Sequence, residues 1–95
     1  MIEVKGVVKE VYKRTFVLTR DGRELKKREF TIEPDDDSDG EVYFVLFPTM
    51  WHDPVDDIKT GDRVKVVFSA RSRKYNGKYY TTLTAKKVEK VVEDK

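Results

Sequence analysis

Hydrophobic residues along the 95-residue chain recur mainly every second position, the period of a β-strand with one buried face. The alternation is clearest after Asp62, whereas almost every residue in the stretch 42–47 is apolar, and residues 24–33 carry Phe30 and Ile32 as an inward pair. The predicted inward positions of the first two stretches are Val42, Phe44, Leu46, Val64, Val66, Phe68 and Ala70. The pattern therefore predicts an all-β fold.

The first predicted strand, residues 2–12, is interrupted at Gly6, where the parity of the valines changes. A glycine inside a strand is typical of a bulge or a sharp bend. Small barrels need such a bend, because one strand then serves two faces of the sheet. Phe16 and its neighbours continue the extended run to Arg20, and Asp21-Gly22 predicts a two-residue hairpin turn.

Asn76-Gly77 is the strongest turn signal in the chain and predicts a type I′ hairpin. This turn sets a register in which apolar residues meet at first, but Val66 would eventually face Lys87. We therefore expect a bulge near 86–87 that returns Val88 to the core. The predicted pairs are Tyr75 with Lys78, Arg73 with Tyr80, Arg71 with Thr82, Ala70 with Leu83 and Phe68 with Ala85.

The segment 48–61 is the predicted place for a helix. Asp53 suits the N-cap, Pro54 the first helical position and Gly61 the end, which allows about two turns. The predicted order is five strands with one short helix between strands 3 and 4, as in an OB-type Greek-key barrel. An SH3-like barrel fits the periodicity as well, but the long bent first strand favours the OB arrangement. Residues 1–95 form one domain, with 91–95 a frayed tail.

Charge is unevenly distributed, although the formal net charge is only +2. Residues 1–33 carry +3, residues 34–62 carry −8 and residues 63–95 carry +7. This asymmetry predicts a basic face that attracts polyanions, with ordinary solubility charge as the alternative. The chain has no cysteine, no long apolar run and no apolar N-terminal leader. We expect a soluble, cytoplasmic protein.

Several segments resemble a family of short bacterial OB-fold proteins related to single-stranded-DNA-binding proteins and primosomal OB proteins. The segments are Val4-Lys5-Gly6-Val7-Val8, Arg28-Glu29-Phe30-Thr31-Ile32-Glu33, Gly61-Asp62-Arg63-Val64-Lys65-Val66, residues 70–80 and Ala85-Lys86-Lys87-Val88-Glu89. The aromatic residues around Asn76-Gly77 are the most specific part. The resemblance implies a nucleic-acid-binding role. It weakens at the acidic stretch 34–40 and around 48–57.

The sequence predicts no catalytic residue, no metal and no cofactor. The single histidine, His52, has no nucleophile-turn motif near Ser38, Ser69 or Ser72 and is expected at the surface beside Trp51. The aspartates of 35–39 resemble the start of a calcium loop, but Leu46 stands where that loop needs a glutamate. A solvated hairpin tip is the better interpretation.

The candidate ligand-binding residues are aromatic and basic, as expected for single strands that stack bases within a basic groove. Tyr43, Val45 and Phe47 are predicted to face outward on the strand 2–3 surface that OB proteins use. The predicted nucleic-acid-binding residues are Arg14, Lys27, Tyr43, Phe47, Arg71, Arg73, Lys74, Tyr75, Lys78 and Tyr80. Cross-strand packing, such as Tyr80 against Arg73, is the alternative role for the tyrosines.

Three functions fit this pattern. The first is non-catalytic, weak and largely sequence-independent binding of single-stranded DNA or RNA. The second is a protein-interaction module that uses the Tyr43–Phe47 face or an open strand edge, with a homodimer as its simplest form. The third is an engineered OB barrel without an evolved ligand, because idealised turns and abundant Lys, Glu, Val and Thr also suit design.

Overall fold

The computed structural model of the chain describes residues 1–36, 40–49 and 51–91. It is all-β apart from one 3-10 helix, as the alternating pattern predicts. The strands are β1 (Ile2–Val11), β2 (Thr15–Leu18), β3 (Glu24–Pro34), β4 (Val42–Leu46), β5 (Arg63–Tyr75) and β6 (Lys78–Lys90), and the helix is Pro54–Asp57.

The strands close into a barrel because β1 pairs with two neighbours. The sheet order is β1-β5-β6-β4-β3-β2, and β1 also pairs with β3. The neighbours pair antiparallel except β4 and β6, which are parallel and meet at Val45 and Thr84. The β2–β3 hairpin projects from this ring, and β2 ends the sheet order. This is an OB-type arrangement.

Gly6 lies where β1 passes between its two partners, opposite both Pro34 of β3 and Val64 of β5. A Cβ atom at this position would lie 2.3 Å from the carbonyl oxygen of Glu33, so only glycine allows the approach. The predicted bulge is displaced from Gly6, because the irregularity in the β1–β3 register falls between Val8 and Glu10. Gly6 is therefore a close-contact residue rather than the bulged one.

The predicted first strand is in fact two strands, which raises the strand count from five to six. Residues 12–14 separate β1 from β2. The following turn also differs from the prediction, because Thr19 pairs with Arg23 and the loop therefore has three residues. The amide of Gly22 donates to the carbonyl of Thr19, and Gly22 alone in this loop has a positive φ, of 85°. This is the three-residue loop with a glycine bulge that is common in hairpins.

The β5–β6 hairpin follows the predicted register. Asn76 and Gly77 both have positive φ, 51° and 78°, as a type I′ turn requires. The pairing continues from the turn to Phe68 with Ala85, and it then shifts by one residue. Val66 consequently pairs with Val88, which packs against the core. The predicted bulge near 86–87 is confirmed.

The helix is shorter than predicted: it is a single 3-10 turn that ends at Asp57 rather than near Gly61. The Asp53 side chain caps it by accepting a hydrogen bond from the amide of Val55, and Pro54 is at its start. Val55 and Ile58 are buried in the core below it. No apolar residue follows Ile58 before Gly61, so a second helical turn would have no side chain to bury.

An ion-pair network fixes this helix to the barrel. Arg28 lies within 3.0 Å of Asp56 and 3.6 Å of Asp53, and Arg14 lies within 3.1 Å of both carboxylates. Arg28 and Asp53 are nearly buried, whereas Arg14 and Asp56 are more exposed. The Arg28 Nε has no hydrogen-bond partner, so the network satisfies this guanidinium only in part.

The core has most of the inward residues that the alternation predicts. The inward prediction for Ala70 is wrong: it is exposed, because it lies where the β5–β6 hairpin extends past the core. Phe30, Ile32, Phe44, Val64 and Val66 are fully buried. The ring of Phe44 stacks on Phe30 at 5.4 Å and meets Phe68 edge to face at 5.0 Å. The outward prediction for Val45 is wrong in one respect. It has the outer parity of β4, but only 6% of it is exposed.

The described part of the chain contains no helix long and apolar enough to cross a membrane. The predictions for Asp37, Ser38 and Asp39, and for the tail beyond residue 91, lie outside the described residues.

Candidate nucleic-acid interface

One outer face of the sheet continues from β4 across β6 to β5. Residues two apart on a strand share a face, so the Val45–Thr84 pair places Tyr43 and Phe47 on the same side as Thr82 and Tyr80. The antiparallel register then adds the partners of Tyr80 and Thr82 on β5, which are Arg73 and Arg71. We call this surface the outer face; it comprises Tyr43, Phe47, Arg71, Arg73, Tyr80, Thr82 and Thr84.

Two concave patches lie along the outer face. The first is lined by Arg71, Arg73, Tyr80 and Thr82. The second lies at the other end of the same row, and it includes Phe47, His52, Thr84 and Lys86 in its lining. Thr82 and Thr84 are two residues apart on β6, so the two patches follow one another along this strand.

The residues 70–82 form a two-stranded ribbon that projects from the barrel, and every one of them is exposed. No acidic residue occurs between Arg63 and Glu89, so the ribbon is purely cationic. Within the part of the chain that the structure describes, Arg71, Arg73 and Lys78 form no ion pair with a carboxylate. Tyr75 pairs with Lys78 beside the turn and is 65% exposed.

The other face of the ribbon carries Lys74 and Tyr79, which are cross-strand partners. The Lys74 ammonium lies 5.7 Å from the centre of the Tyr79 ring, within the range of a cation–π contact. One step closer to the barrel, the hydroxyls of Ser72 and Thr81 are hydrogen-bonded at 2.8 Å. Lys74, a predicted site residue, therefore points away from the outer face.

Two other predicted site residues already have acidic partners. Arg14 takes part in the network with Asp53 and Asp56 described above. Lys27 has the outer parity of β3, and its ammonium lies 4.0 Å from the Glu29 carboxylate. Both therefore have less positive charge to offer a ligand than the ribbon residues.

Carboxylates lie near Tyr43, at one end of the outer face. The Thr31 hydroxyl, on the cross-strand partner of Tyr43, donates to Glu41 at 3.1 Å. The pKa of the nearby Tyr12 phenol is raised, first by its hydrogen bond to Glu10, then by desolvation and the charges of Glu10, Glu41 and Glu29. Carboxylates of Glu10, Glu29 and Glu41 thus lie near the Tyr43 end, whereas the part of the outer face on β5 and β6 carries cations.

Basic side chains offset much of the acidic middle of the sequence. Asp35 pairs with Arg63 on the β1–β5 side, and Asp62 lies 3.5 Å from Lys90. Asp53 and Asp56 belong to the network below the helix. A concavity lined by Glu3, Val4, Lys5, Asp35 and Asp36 is carboxylate-rich and therefore disfavours anions.

The sequence interpretation missed Thr82, Thr84, His52 and Lys86 as members of the candidate interface. His52 and Trp51 are exposed as predicted, and the His52 Nε2 lies 3.9 Å from Asp57. The register set by Asn76-Gly77 already places Thr82 on the face of Tyr80, so the threonines were predictable. His52 was not, because it approaches β6 only through the loop after β4.

In the described ranges, no group of three or more His, Cys, Asp or Glu residues is arranged to hold a metal ion. The interface consists instead of aromatic rings, hydroxyls and cations. Such a surface can stack bases and neutralise phosphates.

Comparison with known proteins identifies a family and a fold. No curated protein sequence matches the chain. Among solved structures, the chain is similar to the second OB-fold domain of replication protein A from Methanococcus maripaludis, with a TM-score of 0.67. The similarity covers 97% of this chain and 84% of that one, at 15% sequence identity, and so bears on the fold alone. The family described as "Domain of unknown function (DUF3127)" matches residues 3–89, and the chain therefore belongs to this family.

Proposed function

We propose that this protein binds single-stranded nucleic acid without catalysis, weakly and with little sequence preference. The observation that carries the proposal is the part of the outer face next to β5 and β6. There, exposed aromatic rings adjoin cations that have no carboxylate partner among the described residues. Tyr80 and Phe47 are 57% and 46% exposed, and Arg71 and Arg73 line a concave patch with Tyr80. The solved OB-fold domain that the chain resembles comes from a protein named for replication, which agrees with this assignment.

Each residue type has a role in this proposal. Phe47 and Tyr80 stack bases, and Arg71, Arg73 and Lys78 contact phosphates. The hydroxyls of Thr82 and Thr84 lie between the two ends and are available to backbone oxygens. Threonine and tyrosine contacts of this kind do not select a base, so they agree with sequence-tolerant binding.

The charge distribution favours a path of the strand along β6. Glu41, which accepts a hydrogen bond from the Thr31 hydroxyl beside Tyr43, would repel phosphates there, although the sequence alone gives Tyr43 the same weight as Phe47. We therefore expect the strand to run from the ribbon along Thr82 and Thr84 to Phe47 and Lys86. Lys27 adjoins the Phe47 end and has a smaller part because Glu29 lies near its ammonium group.

Fluorescence anisotropy of a labelled oligo-dT, titrated with the protein at two salt concentrations, tests the proposal. Saturable binding that weakens as salt rises supports it. Replacing Arg73 with alanine should flatten the slope of log affinity against log salt by about 0.7, the value expected for one lost phosphate contact. Lys5→Ala is the matched control, because Lys5 lines the carboxylate-rich concavity on β1 and pairs with Lys65, six positions before Arg71 on β5. Absence of binding at low salt would leave a protein-interaction module or an engineered barrel without a ligand as the better accounts.

A second candidate function has its own observation. The short edge strand β2 exposes Phe16 and Leu18 at 57% and 74%, and exposed apolar edges are sites of strand addition. A protein-interaction role, including a homodimer, would therefore use β2 as well as the Tyr43–Phe47 face. Sedimentation over a range of concentrations tests self-association, and a constant monomer mass would exclude the homodimer.

A further inference from the structure

The ribbon carries binding groups on a face that the proposed single strand does not reach. Lys74 and Tyr79 lie opposite the face of Arg73 and Tyr80, because successive residues of a strand point to opposite sides. On the ribbon, a strand that follows β6 along the outer face contacts Arg71, Arg73, Lys78, Tyr80 and Thr82, none of which shares the face of Lys74 and Tyr79. The cation–π pair of Lys74 and Tyr79 therefore has no role in that interaction.

The ribbon extends well beyond the barrel. From Ala70 to the turn at Asn76 it spans six residues, about 20 Å at the rise of a β-strand. The Cα radius of gyration is 14.3 Å, whereas about 12 Å is expected for a compact chain of this length. The longest extent of the molecule, 50 Å, is more than twice the shortest, 22 Å. The ribbon can thus reach nucleic acid that lies beside the barrel.

A two-stranded ribbon of this kind matches the dimensions of a duplex groove. The major groove of B-DNA, about 12 Å wide and 8.5 Å deep, admits a two-stranded β-ribbon. A ribbon in a groove lies between two phosphate backbones, so cations on its side chains favour insertion and carboxylates oppose it. The ribbon has Arg71, Arg73 and Lys78 on one face and Lys74 on the other, and residues 64–88 contain no acidic residue. Its remaining side chains are mostly short hydroxyls and tyrosines.

We infer that the preferred substrate is a junction between single-stranded and duplex DNA, with the single strand on the outer face and the ribbon in the adjoining duplex. This inference rests on the proposed function and names its substrate. It assigns Lys74 and Tyr79 to the duplex, and Phe47 to the single strand. The two surfaces adjoin through Arg71 and Arg73 at the base of the ribbon.

The test compares three labelled probes by anisotropy: an oligo-dT of about 15 nucleotides, a blunt duplex of about two helical turns, roughly 20 base pairs, and the same duplex with the oligo-dT as an overhang. We expect the overhang probe to bind about tenfold more tightly than oligo-dT alone, because the ribbon adds phosphate contacts. Lys74→Ala combined with Tyr79→Ala should remove this gain and leave oligo-dT binding unchanged. Both side chains are exposed, so the double variant should fold, which circular dichroism can verify.

The outcomes separate the two proposals. If the overhang probe binds no more tightly than oligo-dT, or if the double variant keeps the full gain, the junction assignment is overturned and single-strand binding stands. If the double variant weakens oligo-dT binding equally, the far face of the ribbon binds single strands, which also overturns the duplex assignment. If no oligo-dT binds but the blunt duplex does, the proposed function fails on its own. Phe47→Ala should weaken the oligo-dT and overhang probes alike.

Discussion

At the scale of single residues, the closed barrel depends on Gly6, because β1 approaches the β3 backbone too closely there to admit a side chain while it also pairs with β5. We expect Gly6→Ala to destabilise the protein by about 3 kcal/mol, since the new methyl group meets rigid backbone at 2.3 Å. Gly22→Ala is the control, because its Cβ meets nothing and its positive φ costs about 1 kcal/mol. Urea denaturation measures both, and a Gly6→Ala protein as stable as the parent would refute the role of Gly6.

The β2–β3 turn contains a single carboxyl group, that of Asp21, whose pKa can be measured. The pKa of Asp21 is lowered, chiefly by the hydrogen bond that its carboxylate accepts from the Thr19 hydroxyl. A carboxylate with a lowered folded-state pKa stabilises the turn above its unfolded pKa, and this contribution is lost as pH falls through the folded value. Thr19→Val should therefore raise the Asp21 pKa toward its ordinary value, as measured by carboxyl carbon shifts. An unchanged pKa would mean that Arg23, whose Nε lies 2.9 Å from Asp21, dominates instead.

At the scale of elements, the network of Arg14, Arg28, Asp53 and Asp56 attaches the 3-10 helix to β3 and to the start of β2. Loss of a nearly buried partner leaves an unpaired charge, whereas loss of an exposed one costs little. We expect Arg28→Ala to destabilise the protein by about 3 kcal/mol and Arg14→Ala by about 1 kcal/mol or less. Denaturant titration of both variants measures the two losses in the free energy of unfolding. Equal losses would show that the burial of Arg28 does not increase its contribution to stability.

A second experiment on Arg14 tests whether this residue only holds the helix to the barrel or also binds nucleic acid. Because both of its contacts are to Asp53 and Asp56, we expect Arg14→Ala to leave oligo-dT affinity within about twofold of the parent, with the salt slope unchanged. Arg73→Ala, which removes an unpaired cation, is the comparison. A flatter salt slope for Arg14→Ala would mean that the ion pair opens to bind phosphate.

The elements also differ in how far sequence alone predicts them. The β5–β6 hairpin was predictable to single residues, including the bulge near 86–87, because a local turn and the alternation of apolar residues set its register. The Arg28 network was not, since it joins positions 14, 28, 53 and 56, and no local pattern links them. The break between β1 and β2 was missed because residues 12–14 carry no glycine or proline.

The candidate site was predictable in part for the same reason. The ribbon cations and Tyr80 follow from one register, whereas the opposite orientation of Lys74 follows from strand parity that the sequence interpretation did not apply. The burial of Val45 and the carboxylates around Tyr43 both depend on packing between β3, β4 and β6, which are far apart in sequence. Long-range packing thus determines which of the predicted aromatic residues lie beside cations and which lie beside carboxylates.

At the scale of the whole molecule, folding brings carboxylates and cations to different ends of the outer face, although basic partners offset much of the acidic segment 34–62. The acidic residues of β1 and β3 adjoin Tyr43, and the cations of β5 and β6 adjoin Tyr80 and Phe47. We therefore expect Phe47→Ala to reduce oligo-dT affinity about tenfold, as for a lost stacking contact, and Tyr43→Ala to reduce it less than twofold. The two rings are similarly exposed, so each is the control for the other. The reverse order in anisotropy titrations would contradict the path along β6.

The most direct test of the central claim is a map of amide chemical-shift changes as oligo-dT is added to the isotopically labelled protein. The account predicts saturable changes centred on the outer-face residues of the ribbon, Arg71, Arg73, Lys78, Tyr80 and Thr82, and on Phe47 and Thr84, with Glu3 and Lys5 on β1 unaffected. Changes centred on β2, or no saturable changes at low salt, would contradict the assignment of the outer face as a nucleic-acid interface.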